Sequence, residues 1–316
     1  MAYRPDVLRY YALALDPIHV GTGGMRLGRV DLSIVREPGT NIPKIPGTSL
    51  AGAARAYAAM QNNRYRWQAG SKTYVCAGQG QEDKNKNIAG HCGQPDCPIC
   101  VTFGFSKGSG ISFQGLAQFS DARLIFFPVH SLAGPVWITC PAMLKDLGVT
   151  EAEPSDKQVR VAGGVEHSGK LNLGWLMLEV AGNAFSLDGK LSAIPDDIKK
   201  RAVLVSNKMF GHIVNDNLEV RTSVSIDPQT GAAAEGALFT YEALPRACVL
   251  YFDVVISDPK FYQINGKQPL STDGKQQVIN TVQQGLALFE FIGVGGMNTR
   301  GMGRLRVLNL NAGGAQ

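Results

Sequence analysis

The sequence predicts an α+β fold, because strand-like alternation and helix-like periodicity recur in the same order near each end of the chain. Near the start, residues 8–15 read as a strand with Tyr11, Leu13 and Leu15 on one face. Residues 48–61 follow as a helix, capped by Thr48 or Ser49 and rich in the strong helix formers Ala53, Ala54, Ala58 and Ala59. Near the end, Val278, Val282, Gly285, Phe289 and Ile292 recur at helical spacing across residues 275–292, the pattern of an amphipathic helix lying on a sheet. The chain then enters a strand in which Arg304 and Arg306 share one face and Leu305 and Val307 the other. Strand-forming runs at 117–129, 136–140, 174–180 and 249–256 lie between the two passages. Taken in order, these elements describe a ferredoxin-like βαββαβ core, the plan of RNA-recognition modules.

Composition is consistent with one substantial core. The chain has 316 residues, 44% of them hydrophobic and 18% charged, which is globular rather than disordered. A single domain over residues 1–316 with insertions is expected. The net charge of +5 permits an acidic partner without demanding one, so the case rests on where the arginines fall. The opening MAYRPDVLRYYALALD has only a short apolar run broken by Asp16 and Pro17, and no stretch is long and apolar enough to span a membrane. A cytoplasmic protein without a membrane partner is the expectation.

Residues 17–55 carry the densest chemistry. Gly21, Gly23, Gly24 and Gly28 allow close backbone approach to a ligand, while Arg26, Arg29 and Arg36 set positive charge around the lone carboxylate Asp31. Known glycine signatures fail here. A dinucleotide fingerprint beginning at Gly21 needs glycine where Arg26 stands, and a P-loop beginning at Gly23 meets Arg29 and Val30 instead of Lys-Ser/Thr. The alternative is a hairpin loop whose glycines serve turn geometry alone. Amides at the start of the following helix would face this loop, an arrangement that binds phosphate readily. Gly293, Gly295, Gly296, Gly301 and Gly303 form a second such loop, and it holds more glycine than a simple helix-to-strand turn requires.

Four of the six cysteines cluster in sequence at Cys76, Cys92, Cys97 and Cys100. Cys97-Pro98-Ile99-Cys100 has the CxxC spacing that turns two sulfurs onto one ion, Cys92 adds a third through a tight turn, and Cys76 is the natural fourth. His91 is the rival fourth ligand, hindered by its adjacency to Cys92. A structural zinc ion in a closed four-cysteine site is expected, within an insertion spanning residues 62–102; a redox CxxC and unligated thiols are the alternatives. Cys140 and Cys248, in apolar surroundings, read as core residues.

The glycine-rich segments carry a family resemblance. GVGGMNTRGMG resembles the terminal loop of the RAMP superfamily, the repeat-associated proteins of CRISPR systems. HVGTGGMRLGRVDLSIVRE with IPGTSLAGAAR, then FFPVHSLAGPVWITCP, then VRTSVSIDPQTGAAAEGALFTYEALP are similar to the backbone subunits of type III effectors. The FFPVHSLAGPVWITCP block is closest to the fourth subunit of the type III-B (Cmr) complex, with the type III-A (Csm) backbone subunit the nearest competitor. Specificity comes from the order of four motifs over most of the chain.

The resemblance implies partners and roles. Such subunits polymerise along guide CRISPR RNA with other copies of themselves and other effector subunits, while a protruding β-hairpin thumb displaces one base of the guide–target duplex. Here it implies a thumb within about residues 203–240, with Met209, Phe210 and Ile213 as wedge residues; core packing is the competing role for these apolar side chains. The family aspartate that cuts bound target RNA matches Asp31, and the family histidine matches His19, which can act as a general acid or as a loop anchor. A carboxylate acting as base or holding catalytic Mg or Mn suits cleavage by the 2′-hydroxyl. A surface ion pair with Arg29 or Arg36 is the plain alternative for Asp31. Gly21, Gly23, Arg26, Arg29, Lys44, Ser49, Arg55, Gly295, Gly296, Arg300, Arg304 and Arg306 become RNA-binding candidates. Ala51 stands where the family usually has lysine, so Lys44 and Arg55 are expected to compensate. Three functions stay open: a guide-binding subunit that also cuts target RNA, a non-cleaving scaffold, and a solitary repeat-processing endoribonuclease.

Overall fold

A computed structural model describes residues 3–23, 30–78, 80–83, 85–107, 110–234 and 238–310. In chain order the elements that position the site are strand β1 (Asp6–Ala14), helix α1 (Gly47–Gln61), helix α2 (Pro98–Phe103) and strands β2 (Ala122–Val129), β3 (Val136–Thr139) and β4 (Gln158–Val161). Strands β5 (Lys170–Leu173), β6 (Leu176–Val180) and β7 (Ala202–Leu204) follow, then helix α3 (Asn207–Asp216) and strands β8 (Glu219–Ser223), β9 (Phe239–Ala243) and β10 (Val249–Ile256). Helix α4 (Gly274–Ala287) and strand β11 (Leu305–Val307) complete the set.

One large mixed sheet runs in the order β5-β6-β4-β7-β3-β2-β10-β1-β11. Its last four strands are antiparallel throughout, with Leu13 opposite both Val249 and Arg306 and Arg123 opposite Tyr251. Both faces of this sheet are covered, which is why Leu124, Ile125, Phe126 and Phe127 form an unbroken buried run rather than an alternating one. Tyr10, Ala12 and Ala14 of β1 join the cluster that holds Leu50 and Tyr57 of α1 and Val282 and Leu286 of α4. Tyr11 and Leu13 pack on the opposite cluster with Phe126, Tyr251 and Phe185. The two helices approach so closely that a Cβ on Gly285 would lie 2.3 Å from the Ala54 carbonyl oxygen. Glycine is required there for helix contact rather than for backbone freedom.

Several expected boundaries move. Helix α1 begins at Gly47 behind Pro46, and Thr48 and Ser49 fall in its first turn instead of capping it. Asp121 does the capping from a distance, its Oδ1 accepting the Gly47 N–H at 2.8 Å. The run read as one strand over 117–129 is interrupted at Ser120 and Asp121, and that break lets Asp121 turn toward Gly47 and Lys44.

The expected wedge residues are also corrected. Met209, Phe210 and Ile213 lie on α3, where Ser206 caps the helix by accepting the Met209 N–H at 3.2 Å. Phe210 is fully buried and Ile213 nearly so, with Met209 half-buried against the same core. Their spacing is that of an amphipathic helix. The hairpin of this region is instead β8–β9, with Glu219 opposite Ala243 and Ser223 opposite Phe239, and its far end exposes Val224, Ile226 and Leu238.

Candidate functional site

Asp31 is pinned to that hairpin near the loop end of its ladder, where Thr240 lies opposite Thr222. The Thr240 N–H donates to Asp31 Oδ2 at 2.7 Å, the Thr240 hydroxyl donates to the same oxygen at 2.9 Å, and the Asp31 N–H donates back to Thr240 Oγ1 at 3.1 Å. The Thr240 backbone N–H first, then its hydroxyl, hold the Asp31 carboxyl below the usual carboxylate range. It is therefore ionised at neutral pH. Leu32 continues the attachment by bridging in parallel to Tyr241, so this segment lies along β9.

A buried ion pair stiffens the next residues. Glu242 accepts from both terminal nitrogens of Arg36, at 2.6 and 2.9 Å, and its Oε1 also accepts the Ile34 N–H at 2.8 Å. Arg36 Nε donates to Asn215 Oδ1 of α3 at 2.9 Å. Arg36 is thus the partner of Glu242 and not of Asp31, contrary to the charge cluster expected from the sequence. Arg26, Arg29, Gly24 and Gly28 lie outside the described residues.

His19 joins the two glycine-rich segments. Its Nδ1 donates to the Glu242 carbonyl at 2.6 Å; because a carbonyl only accepts, Nδ1 carries the proton and Nε2 is left toward Gly21. The His19 carbonyl accepts the Gly296 N–H at 2.8 Å, and the Pro17 carbonyl accepts that of Gly303 at 2.9 Å. Gly295 sits at φ +88° with its missing Cβ 2.5 Å from the His19 oxygen, so only glycine fits. Tyr57 of α1 reaches the same loop, donating to the Gly293 carbonyl at 2.6 Å. Gly21, Gly295 and Gly296 thereby gather around a histidine that is only 6% exposed, while Gly23 lies in open space two residues further along.

The basic candidates separate into paired and unpaired groups. Lys44 Nζ bridges Glu37 at 2.8 Å and Asp121 at 2.6 Å. Arg304 pairs with Asp16 at 2.6 Å and Arg306 with Glu290 at 2.7 Å, both on the surface. Arg300 is exposed in the terminal glycine loop and makes no ion pair among the described residues. Ser49 is half-buried in the first turn of α1. Arg55 is not at the surface: it is buried, donating from Nε to the Cys76 carbonyl at 2.7 Å and from Nη1 to the Gly104 carbonyl at 2.8 Å. The RNA-facing role expected for it is replaced by one beneath the cysteines.

Cys76, Cys92, Cys97 and Cys100 converge from two loops and α2. Their sulfurs all lie within 4.8 Å of one another, with Cys92 and Cys100 at 3.6 Å and Cys97 and Cys76 at 4.0 Å. Four thiolates around one ion at the usual Zn–S length of ~2.3 Å would be spaced by ~3.8 Å, so the set can hold a metal ion such as zinc. His91 stands aside, its Nε2 at 3.0 Å from the Gly78 carbonyl, which leaves Cys76 as the fourth member. Cys140 and Cys248 are buried elsewhere; burial pushes the Cys140 thiol up to about 11 and raises that of Cys248 as well.

The family model described as the RAMP superfamily matches residues 12–306. The chain belongs to the RAMP superfamily. Within it the chain is Cmr4-like: it is 26% identical over 325 residues to the CRISPR system Cmr endoribonuclease Cmr4 of Pyrococcus furiosus, covering 93% of this chain and 92% of that one. The crystal structure of oligomeric Cmr4 from Pyrococcus furiosus superposes with a TM-score of 0.61 at 19% identity, over 97% of this chain and 100% of the other. The type III-B Cmr-beta structure bound to cognate target RNA contains a chain with a TM-score of 0.63 at 14% identity, covering 98% of each. At those identities the superpositions establish a shared fold.

Thr240 and Glu242 are the site residues of this RAMP protein that sequence reasoning missed. Both lie on one face of β9 within FTYEAL, and a lone acid in a strand with no other charged residue was the available signal. Among the described residues no helix is long and apolar enough to cross a membrane.

Proposed function

We propose that this RAMP-superfamily chain is a repeated backbone subunit of a type III CRISPR ribonucleoprotein, which binds guide RNA and cuts complementary target RNA at a site centred on Asp31. One observation carries the reading: Thr240 fixes Asp31 on a hairpin whose ladder ends one pair further on, at Ser223 and Phe239, and whose loop then exposes Val224, Ile226 and Leu238. If that hairpin is the thumb, Val224, Ile226 and Leu238 take the wedge role first assigned to Met209 and Phe210. A base displaced there frees its phosphodiester from A-form geometry next to the carboxylate. The strand order β11-β1-β10-β2, antiparallel and backed by α1 and α4, supports the ferredoxin-like core.

The chemistry follows from the ionised state of Asp31. A carboxylate held below its usual range is a weak proton acceptor at neutral pH and a good cation ligand. Among the described residues Asp31 belongs to no group of three or more candidate ligands, so a Mg²⁺ or Mn²⁺ ion there would draw on this carboxylate, waters and the RNA's own phosphates. Such an ion, when bound, would supply charge neutralisation at the scissile phosphate and favour ionisation of the 2′-hydroxyl. Asp31, its carboxylate fixed by Thr240, would hold such an ion, and His19 anchors the two glycine segments that would give phosphates close backbone approach. The four-cysteine set holds a structural zinc ion in a closed site, within the insertion 62–102. Arg300 is the first candidate for guide or target phosphates, ahead of Arg304 and Arg306.

The test is an assembled complex of this chain, guide RNA, further copies and the other effector subunits. Asp31→Ala is expected to abolish cutting of complementary target RNA while guide and target binding persist, and wild-type products should carry 2′,3′-cyclic phosphate and 5′-hydroxyl ends. A DNA target lacking the 2′-hydroxyl should be bound and left whole. Wild-type assemblies that capture target without cutting it would make the chain a scaffold. Full cleavage by Asp31→Ala would move the chemistry elsewhere, and processing of repeat RNA by the isolated chain would favour the solitary endoribonuclease.

A further inference from the structure

Arg55 is a buried cation without a buried anion. It is 9% exposed, its Nε and Nη1 donate to the Cys76 and Gly104 carbonyls, and Nη2 is enclosed with no acceptor. No carboxylate pairs with it among the described residues. Enclosing an unpaired guanidinium is strongly unfavourable, because the low-dielectric surroundings do not replace the water it gave up. Burial pushes the Arg55 guanidinium below its ordinary value, and the sulfurs of Cys100, Cys76, Cys97 and Cys92 act in the opposite direction.

Four neutral thiols would give Arg55 nothing. Four thiolates around a divalent ion leave two negative charges in the same enclosed volume, and two cations stand against it. The second is Lys107, whose Nζ donates to the Cys92 carbonyl at 2.5 Å. Both cations reach the centre through the backbone carbonyl of a ligand residue, Cys76 in one case and Cys92 in the other. Trp67 adds a third donor, its indole N–H lying 3.5 Å from Cys76 Sγ. Donors aimed at sulfur and at ligand carbonyls are what a thiolate centre requires, since they disperse charge that water cannot reach.

We propose that Arg55, seconded by Lys107, is the built-in counter-charge of a dianionic tetrathiolate metal centre. The inference rests on the structural-metal reading above and goes beyond it by assigning what balances the site. It also explains an arginine in the middle of an alanine-rich helix: α1 delivers a positive charge to the inner side of the cysteines, so ion, knuckle and helix are one electrostatic unit. The ligand class that fits is a divalent, thiophilic ion in tetrahedral sulfur coordination.

Cobalt(II) is the probe, because four-thiolate coordination gives it sulfur-to-metal charge-transfer and tetrahedral d–d bands. Metal-free protein, prepared under reducing conditions, is titrated with Co²⁺ and then with Zn²⁺ against a chromophoric chelator. Wild type should bind one equivalent with the tetrathiolate spectrum. Arg55→Met should bind about 10–100-fold more weakly, as losses outside the first coordination shell do, with Arg55→Lys recovering most of the affinity and Lys107→Met in between. Arg55→Met binding at wild-type affinity would overturn the counter-charge role while leaving the metal site intact; wild type that binds no cobalt would overturn the metal reading itself. Should Arg55→Met fail to fold, Arg55→Lys decides: a loss as large as tenfold with the charge preserved would also overturn the proposal.

Discussion

Replacing Glu242 by alanine isolates the contribution of the buried pair that holds the Asp31 segment to its hairpin. The Glu242 side chain is 7% exposed and that of Arg36 20%, so removing the carboxylate leaves a largely enclosed guanidinium with only the Asn215 amide oxygen and the Ile34 carbonyl. Breaking a buried pair from one side costs about 3–5 kcal/mol, and the partial exposure of Arg36 puts this case near about 3 kcal/mol. Orphaning the Ile34 N–H adds about 1 kcal/mol. Urea unfolding of Glu242→Ala should therefore show a loss of about 3–4 kcal/mol. Arg36→Met/Glu242→Leu, which removes both charges and keeps volume, should be far less affected, and the cycle it closes with the single variants Arg36→Met and Glu242→Leu should give a coupling energy of at least about 2 kcal/mol. Losses below about 1 kcal/mol for Glu242→Ala, or single-variant losses that simply add, would refute the reasoning. In the assembled complex, below the unfolding temperature, the same variant should lose target cutting with the Asp31 segment released.

Two further outcomes follow from charge placement. The Asp31 carboxyl is depressed in the folded chain by Thr240, so its stabilising contribution is complete above the unfolded value and disappears only as pH falls through the lower folded value; a pH–rate profile should show no acid limb from Asp31 between pH 5 and 8, roughly, and Thr240→Val should raise the pH at which it protonates. Arg300→Ala should weaken RNA binding and reduce the slope of log affinity against log salt by about 0.7–0.9 for each phosphate it no longer neutralises, whereas Arg304→Ala and Arg306→Ala, already paired with Asp16 and Glu290, should change it less.

The parts of this molecule legible in its sequence are those decided locally. Residues 249–256 read as a strand because seven apolar or aromatic, β-favouring residues around Asp253 suffice, and the structure gives that strand the same limits. The CxxC turn placed two sulfurs correctly because three residues fix their separation. What sequence order conceals is partner choice. Arg36 finds Glu242 across 206 positions, and Arg55 is drawn inward by carbonyls 21 and 49 positions away. Charge is visible in a sequence, but enclosure is not. Met209, Phe210 and Ile213 were misplaced for a related reason: a short helix and a hairpin strand both present apolar residues at close spacing, and only packing against the core separates them.

The meeting of His19 with Gly296 sets an order on the chain's biogenesis. These residues are joined at the backbone yet lie far apart in sequence, and β11, which docks on β1, is the last of the described strands to leave the ribosome. A nascent chain can form the CxxC turn early, because that turn is local, but it cannot finish packing α1 until α4 and the Gly293 loop have emerged. It cannot close the glycine cradle until the residues up to β11 have been synthesised. Translation thus delays the joining of the two glycine segments at His19 to chains that have passed that strand, and a product terminated before it would carry Asp31 with that junction unfinished.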